Sequence, residues 1–239
     1  MALDLSQFDV LTFDCYGTLI DWESGIVTAM RPILDRHGVD LTDDQLLELF
    51  AELEAAAELP PYKPYREVLS RVVDGFGERL GFPPTPGDRA ALPESVGDWP
   101  AFPDTVAALH ALGRHYRLAI LSNVDDDLFA RSARRLDTDF AAVVTAQQVG
   151  SYKPNPRNFQ RAIERAGVPQ ERILHVAQSL FHDIAPAKEA GLATVWVNRR
   201  YDRPGSGATP VASAQPDLEV PNLATLASLV DGAFTAGAR

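Results

Sequence analysis

The stretch DVLTFDCYGTL, residues 9–19, is a short apolar run that ends in an acid and a glycine-containing turn. Apolar runs of this length are typical of strands buried on both faces of a parallel sheet. Four similar runs follow: RLAILS (117–122), FAAVVT (140–145), RILHVA (172–177) and ATVWV (193–197). Helical patterns lie between them, at 104–115, 125–136, 155–166 and 184–191. These alternating units predict an α/β fold built on a parallel sheet.

A long insertion separates the first predicted strand from the second. It contains helical patterns and no convincing strand, and clusters of Pro and Gly such as FPPTPGD (82–88) punctuate its far end. The helical patterns cover 23–37, 42–58 and 64–80. We therefore predict a helical cap at 21–100 on a core formed by 1–20 and 101–239. Two late segments of the core are predicted as a loop and a closing helix, at 201–216 and 222–231.

The composition indicates a chain with its own apolar core and an acidic surface. Its 239 residues are 46% hydrophobic, which suits one large domain or a core with an insert. The formal net charge of −11 opposes binding to nucleic acid or anionic lipid. No window approaches the roughly 18 apolar residues of a membrane span. The expected partner is a small-molecule anionic substrate, whose site must gather local positive charge or N–H donors, and a homodimer is compatible with the sequence.

The single cysteine and the first residues bear on the cellular compartment. Cys15 has no second cysteine with which to form a disulfide in the chain. The segment MALDLSQFDV lacks the basic end and the long apolar run of a signal peptide. We therefore expect a reducing, cytoplasmic location.

Chemically versatile side chains follow the predicted strands, at the sheet edge where ligands bind in open α/β folds. A carboxylate held there by backbone N–H groups and a lysine stays ionised and can act as a nucleophile. Gly17 suits a tight turn that brings such N–H groups close. The acid directly after the first strand is therefore the predicted nucleophile. The candidate catalytic residues are Asp14, Thr18, Ser122, Asn123, Lys153, His182 and Asp183.

Four segments, in order and separation, resemble the signature motifs of the haloacid dehalogenase superfamily: FDCYGTLID (13–21), LSNV (121–124), YKP (152–154) and HDIAPAKEAG (182–191). The first is similar to the type II 2-haloacid dehalogenase branch. The resemblance implies a Rossmann-like core with a cap after the first strand. It also implies that Asp14 is a covalent nucleophile with Thr18 and Ser122 as hydrogen-bond partners, and that Lys153 balances its charge.

Position 16 separates two activities of this superfamily. Its phosphatases carry a second Asp there, because an alkoxide leaving group needs a proton, whereas a halide leaves without one. This chain has Tyr16, so we expect hydrolysis of short 2-haloalkanoic acids to 2-hydroxy acids through an aspartyl ester, without a cofactor. A Mg²⁺-dependent phosphatase, with Asp14 and Asp183 as metal ligands, is the alternative. A core that has lost turnover and only binds a partner is a third hypothesis.

The last motif departs from the 2-haloacid pattern. Gln178 and Leu180 stand where those enzymes have Ser and Asn, and Phe159 stands where they have Tyr. These departures indicate a divergent subgroup with a different halide, such as fluoride, or another leaving group. His182 is the candidate substitute for orienting water.

Residues at the substrate itself are predicted from position alone. Cys15 and Tyr16 follow the nucleophile and are expected beside the substrate, with the Cys15 thiol packed rather than reactive. Arg66, in PYKPYREVL, is the candidate anchor for a substrate carboxylate, because its planar fork matches that group. The acidic run at 125–127 is predicted to open a helix rather than to bind metal.

Overall fold

The computed structural model describes residues 3–203 and 205–237. Its strands are β1 Val10–Phe13, β2 Arg117–Ser122, β3 Ala142–Thr145, β4 Ile173–Ala177, β5 Ala193–Val197 and β6 Leu218–Val220. They form one six-stranded sheet in the order β3-β2-β1-β4-β5-β6, with every neighbouring pair parallel. The predicted α/β class is confirmed. The predicted core and loop ranges include Met1, Ala2, Pro204, Ala238 and Arg239, which lie outside the described residues.

Helices precede, separate and cover the strands. Between β1 and β2 the chain forms α1 Trp22–Arg36, α2 Asp43–Ala57, α3 Tyr65–Leu80 and α4 Pro86–Ser95. The later helices are α5 Thr105–Leu112, α6 Asp126–Ala133, α7 Ala146–Val149, α8 Pro156–Ala166, α9 Ala185–Glu189 and α10 Leu223–Gly237. None of the helices in the described part of the chain is long and apolar enough to span a bilayer.

The two connections to the helical insertion lie side by side. Ile20 and Ala101 form an antiparallel bridge, and the Asp21 N–H donates to the Pro100 carbonyl at 2.7 Å. The chain therefore leaves the sheet and returns to it at one place, so that α1 to α4 project from the carboxyl end of β1. We call these four helices the cap.

Three of these elements were not predicted from the sequence: helix α4, the single turn α7 and strand β6. Helix α4 begins inside the FPPTPGD cluster, where Thr85 and Asp88 form a reciprocal capping box and Pro86 takes the first helical position. Proline at that position favours a helix, because its missing N–H would have no partner there. Strand β6 has only three residues and pairs at the sheet edge with β5, so its apolar pattern is too short to recognise.

The sheet order places the functional edge at β1. The chain proceeds from β1 to β2 and β3 on one side, then crosses to β4 on the other side. Ligands in open α/β sheets bind beyond the strand ends at such a reversal. Residues that follow β1, β2 and β4 are therefore brought together beneath the cap.

Candidate active site

Asp14, Lys153 and Asp183 form a buried ionic group at this edge. The Lys153 Nζ donates to Asp14 Oδ1 at 2.8 Å, to Asp183 Oδ1 at 2.7 Å and to the Leu121 carbonyl at 3.0 Å. The lysine side chain is only 1% exposed. An ammonium has three N–H bonds, and all of them are used here. Lys153 therefore fixes both carboxylates and carries no further donor for a ligand.

The electrostatic balance of this group rests on the lysine. Burial raises the pKa of Asp14 and the nearby Asp183 charge adds to it, while Lys153 and the Thr18 hydroxyl oppose the rise. Burial alone would lower the pKa of Lys153, but the two carboxylates raise it above its ordinary value. The ammonium thus stays charged and is what keeps the Asp14 carboxylate available as an anion.

The turn after β1 aims Asp14 into the site. Thr18 Oγ1 donates to Asp14 Oδ2 at 2.7 Å and accepts from the Gln178 N–H at 2.9 Å, which ties the turn to the loop after β4. Gly17 has φ +92°, and a Cβ there would lie 2.9 Å from Trp22 Nε1. Only glycine fits this turn without strain.

A buried histidine that the sequence analysis missed orients Asp183. His175 pairs with Thr12 across β1 and β4, and its Nδ1 lies 2.9 Å from the Thr12 hydroxyl. Its Nε2 lies 3.1 Å from Asp183 Oδ1. A polar residue in the middle of the apolar run ILHVA was the available signal, because a buried polar group needs a partner.

Ser122 is the last residue of β2, and Asn123 follows it beside the lysine. Asn123 Oδ1 accepts from the Lys153 N–H at 2.7 Å and its Nδ2 donates to the Lys153 carbonyl at 3.1 Å, so it holds the lysine backbone in place. Ser122 is 1% exposed and lines the cavity above Asp14. Its Oγ has no hydrogen-bond partner among the described residues, which corrects the expectation that Ser122 hydrogen-bonds to Asp14.

His182 faces this cavity from a single π-helical turn, Leu180–Ile184, and is buried. The Ser179 hydroxyl accepts from the His182 N–H at 2.9 Å and lies 3.3 Å from its Nδ1. Burial lowers the pKa of His182 to about 4. The imidazole is therefore neutral at physiological pH and can accept a proton.

Two further residues that sequence analysis missed come from the cap. Glu54 is buried, and its Oε1 accepts from the Tyr65 hydroxyl at 2.5 Å. Glu58, one helical turn later, lies 3.4 Å from Asn123 Nδ2 and 4.0 Å from His182 Nε2. An available signal was a Glu at position 54 on the apolar face of the 42–58 helical pattern.

Of the three residues predicted to bind substrate, only one lines the cavity. Arg66 is a correction: it does not line the cavity, because its guanidinium pairs with Asp127 and is 40% exposed. The Cys15 side chain is fully buried in the apolar core and is absent from the cavity wall, so the structure does not place it beside the substrate. Tyr16 does line the cavity, but its hydroxyl is 2.9 Å from Ser132 Oγ.

The donor set does not fit a magnesium ion. Both carboxylates that would hold Mg²⁺, Asp14 and Asp183, instead share the Lys153 ammonium. Within residues 3–203 and 205–237, no cluster of at least three His, Cys, Asp or Glu side chains is arranged as a metal site. Mg²⁺ prefers octahedral oxygen coordination, and a cation already lies between the two acids.

Asp125, which follows β2 in the core, hydrogen-bonds to the cap. Asp125 accepts from the Tyr65 N–H at 2.9 Å and from the Arg66 N–H at 3.1 Å. These are the first N–H groups of α3, whose own N-cap, Pro64, provides no side-chain hydrogen bond. A carboxylate of the core therefore caps a helix of the cap.

We expect Asp125→Ala to lower the free energy of unfolding by about 1–2 kcal/mol, because the first N–H groups of α3 lose their partner. Asp127→Ala is the matched control, since Asp127 is 63% exposed and its loss, an exposed ion pair with Arg66 and contacts in the first turn of α6, should cost less than about 1 kcal/mol. Urea denaturation of both variants measures the difference. Equal losses would show that Asp125 does not act as a helix cap.

Comparison with known proteins gives the following similarities. A family model described as haloacid dehalogenase-like hydrolase matches residues 8–191. Haloacetate dehalogenase H-2 of Moraxella sp. (strain B) is 26% identical over 95% of this chain and 99% of its own length. Pyrimidine 5'-nucleotidase YjjG of Escherichia coli (strain K12) is 32% identical over 44% of this chain. The matched region covers about half of that relative, 48% of its length.

The fold also resembles solved structures. L-2-haloacid dehalogenase from Xanthobacter autotrophicus superposes with a TM-score of 0.76 at 22% identity, over 94% of this chain and 99% of its own. At this identity the likeness concerns the architecture. The chemistry has to be argued from the side chains described above.

Proposed function

Because the chain belongs to the haloacid dehalogenase-like hydrolases, we propose that it displaces halide from short 2-halogenated compounds, of which the 2-haloalkanoic acids are the simplest members. The observation that carries this proposal is position 16. Tyr16 stands where a phosphatase of the family has its proton donor, and its hydroxyl is held by Ser132. A leaving group that departs as a stable anion needs no acid there.

The first step is a displacement at carbon. An Asp14 carboxylate oxygen attacks the carbon that bears the halogen, the carbon–halogen bond breaks, and the halide leaves with the electron pair. The result is an ester of Asp14. Lys153 keeps the carboxylate ionised for attack, and Thr18 orients it through Oδ2. The cavity between cap and core is narrow, with a volume of about 30 Å³, so it suits only a substrate of a few heavy atoms.

The second step is hydrolysis of the ester. Water adds to the carbonyl carbon of Asp14 and gives its proton to the neutral His182 imidazole. The ester bond then breaks, and the proton passes to the departing alkoxide, which leaves as the alcohol. In this proposal the second proton of that water leaves to solvent, and Asp14 regains a carboxylate that contains one oxygen from water.

We expect His182→Ala to slow the second step by about 10²–10⁴-fold while leaving the first step active, so that halide appears as one burst per enzyme. Intact-protein mass spectrometry should then show the accumulated ester. In the wild type, the rate of ester hydrolysis should hold down to about pH 4 and fall below it, because the base is lost as the imidazole takes up a proton.

His110→Ala is the control for this prediction, because His110 is exposed and does not line the cavity. Turnover in His182→Ala equal to that of the control would contradict the role of His182. So would a loss of turnover with neither a halide burst nor an ester.

Halide release from chloroacetate, bromoacetate, chloroacetamide and 2-chloropropionate in EDTA tests the proposed function, beside hydrolysis of p-nitrophenyl phosphate with Mg²⁺. Halide release without metal is the expected result. Metal-dependent phosphate release with no halide from any compound would replace the proposal with the phosphatase alternative.

A further inference from the structure

The cap side of the cavity carries two acids that the proposed chemistry does not use. Glu54 and Glu58 lie four residues apart on α2 and its C-terminal end, so both point from one face of the helix. Their side chains are nearly buried, at 3% exposure for Glu54 and 8% for the Glu58 side chain. Both line the same cavity as Asp14. The wall opposite the nucleophile is therefore acidic.

A substrate carboxylate finds no free cation in this cavity. Lys153 is the single Lys or Arg among the lining residues, which all belong to the described part of the chain. Its donors are taken by Asp14, Asp183 and a backbone carbonyl. The overall charge of −11 also repels anions and attracts cations.

Neither acid has a Lys or Arg partner among the described residues, and Glu54 accepts a hydrogen bond only from the neutral Tyr65 hydroxyl, at 2.5 Å. Glu58 has only the long 3.4 Å contacts to Asn123 and faces His182 at 4.0 Å. Burial raises the pKa of Glu54 to about 7 and raises the pKa of Glu58 well above its ordinary value. Buried carboxyls without a counter-charge are costly, and such groups in clefts mark functional sites.

An independent observation at the same cavity also points to a ligand. Ser122 Oγ is buried, lines the cavity and has no hydrogen-bond partner among the described residues. Buried hydroxyls are nearly always hydrogen-bonded in native proteins. A polar group of a bound molecule can therefore pair with Ser122, while Glu54 and Glu58 meet its far end.

We propose that Glu54 and Glu58 select a substrate whose non-reacting end carries N–H donors, a carboxamide or an ammonium, in place of a carboxylate. This inference rests on the proposed dehalogenation and defines its substrate class. The reacting carbon lies at Asp14 and the nitrogen lies at the two glutamates. A bound ammonium favours the ionised form of both acids and then serves as their counter-charge, while a carboxamide supplies two donors for their oxygens.

Three compounds of similar size test the proposal: chloroacetate, chloroacetamide and 2-chloroethylammonium. For the wild type, we expect kcat/KM for halide release from at least one of the nitrogen compounds to exceed that from chloroacetate tenfold or more. Glu58→Gln and Glu54→Gln, which keep the side-chain shape, should lower the ratio of that value to the value for chloroacetate at least tenfold. Glu48→Gln, exposed on the same helix, is the matched control and should change none of the three.

A preference for chloroacetate, or equal rates for the three compounds, would overturn the inference and leave the proposed dehalogenation standing.

Binding of non-halogenated analogues tests the acidic wall even if the protein is not a dehalogenase. NMR titration of the Trp22 indole signal with acetate, acetamide and ethylammonium reports binding without turnover, because Trp22 lines the cavity. Tighter binding of the nitrogen compounds that is lost in Glu58→Gln, with no halide release from any substrate, would support the acidic wall and overturn the dehalogenation. Tighter binding of acetate would overturn the acidic wall itself.

Discussion

Asp14→Asn should abolish halide release, with turnover falling by at least about 10⁴-fold, because removal of a covalent nucleophile leaves only binding and positioning. The amide keeps the size of the carboxylate and one oxygen that can accept from Thr18 or Lys153. The protein should therefore stay folded and bind substrate. Ion chromatography of released halide measures the loss, and circular dichroism checks the fold.

The control for this substitution is Asp127→Asn, whose carboxylate is exposed on α6 and pairs with Arg66 outside the cavity. It should leave turnover within about twofold, because exposed ion pairs contribute little to structure. Residual turnover of Asp14→Asn within tenfold of the wild type would place the nucleophile elsewhere.

Lys153→Met should be the most destabilising of the substitutions considered, because it leaves Asp14 and Asp183 buried without their cation. Breaking a buried ion pair from one side costs about 3–5 kcal/mol, and loss of the electrostatic partner should also lower turnover by at least about 10²-fold. Lys188→Met is the control: its ion pair with Asp217 is 38% exposed on the lysine side and should contribute less than about 1 kcal/mol. Urea denaturation measures both.

The pH dependence of Lys153→Met has a definite sign. Without the ammonium, burial raises the folded-state pKa of both carboxyls above their unfolded values, so the stability they contribute is present at low pH and lost as pH rises. In the wild type the pKa of Asp183 is lowered: burial would raise it, but Lys153 and His175 lower it, so its contribution is lost as pH falls. The deficit of the variant should therefore be largest near neutral pH and shrink toward about pH 4. A deficit that grew on acidification would contradict this account.

The active-site residues that lie on the sheet side of the cavity were predictable, because the ends of strands can be recognised in the sequence. Asp14, Ser122 and Asp183 follow apolar runs, and parallel strands bring their carboxyl ends to one edge regardless of how the helices pack. Lys153 was recognised in the YKP segment before a helix, and the structure brings its ammonium to Asp14. Local pattern and topology were sufficient for these residues.

The cap side was not predictable from the same patterns. Its contribution to the cavity depends on how α2 and α3 dock on the core, which periodicity does not specify. Arg66 was predicted to bind substrate, but it lies at the start of α3 beside Asp127 and faces outward. Glu58 follows the last residue of α2, where a glutamate is ordinarily solvated, and only docking against Asn123 and His182 buries it.

Single turnover in ¹⁸O-labelled water tests the covalent role of Asp14 most directly. With enzyme in excess over the halogenated substrate, the proposed mechanism predicts that the first alcohol product contains unlabelled oxygen from Asp14. The peptide that carries Asp14 should gain one ¹⁸O, visible by mass spectrometry. Label in the first product together with an unlabelled Asp14 peptide would mean that water attacks the substrate directly, and would contradict the assignment of Asp14 as nucleophile.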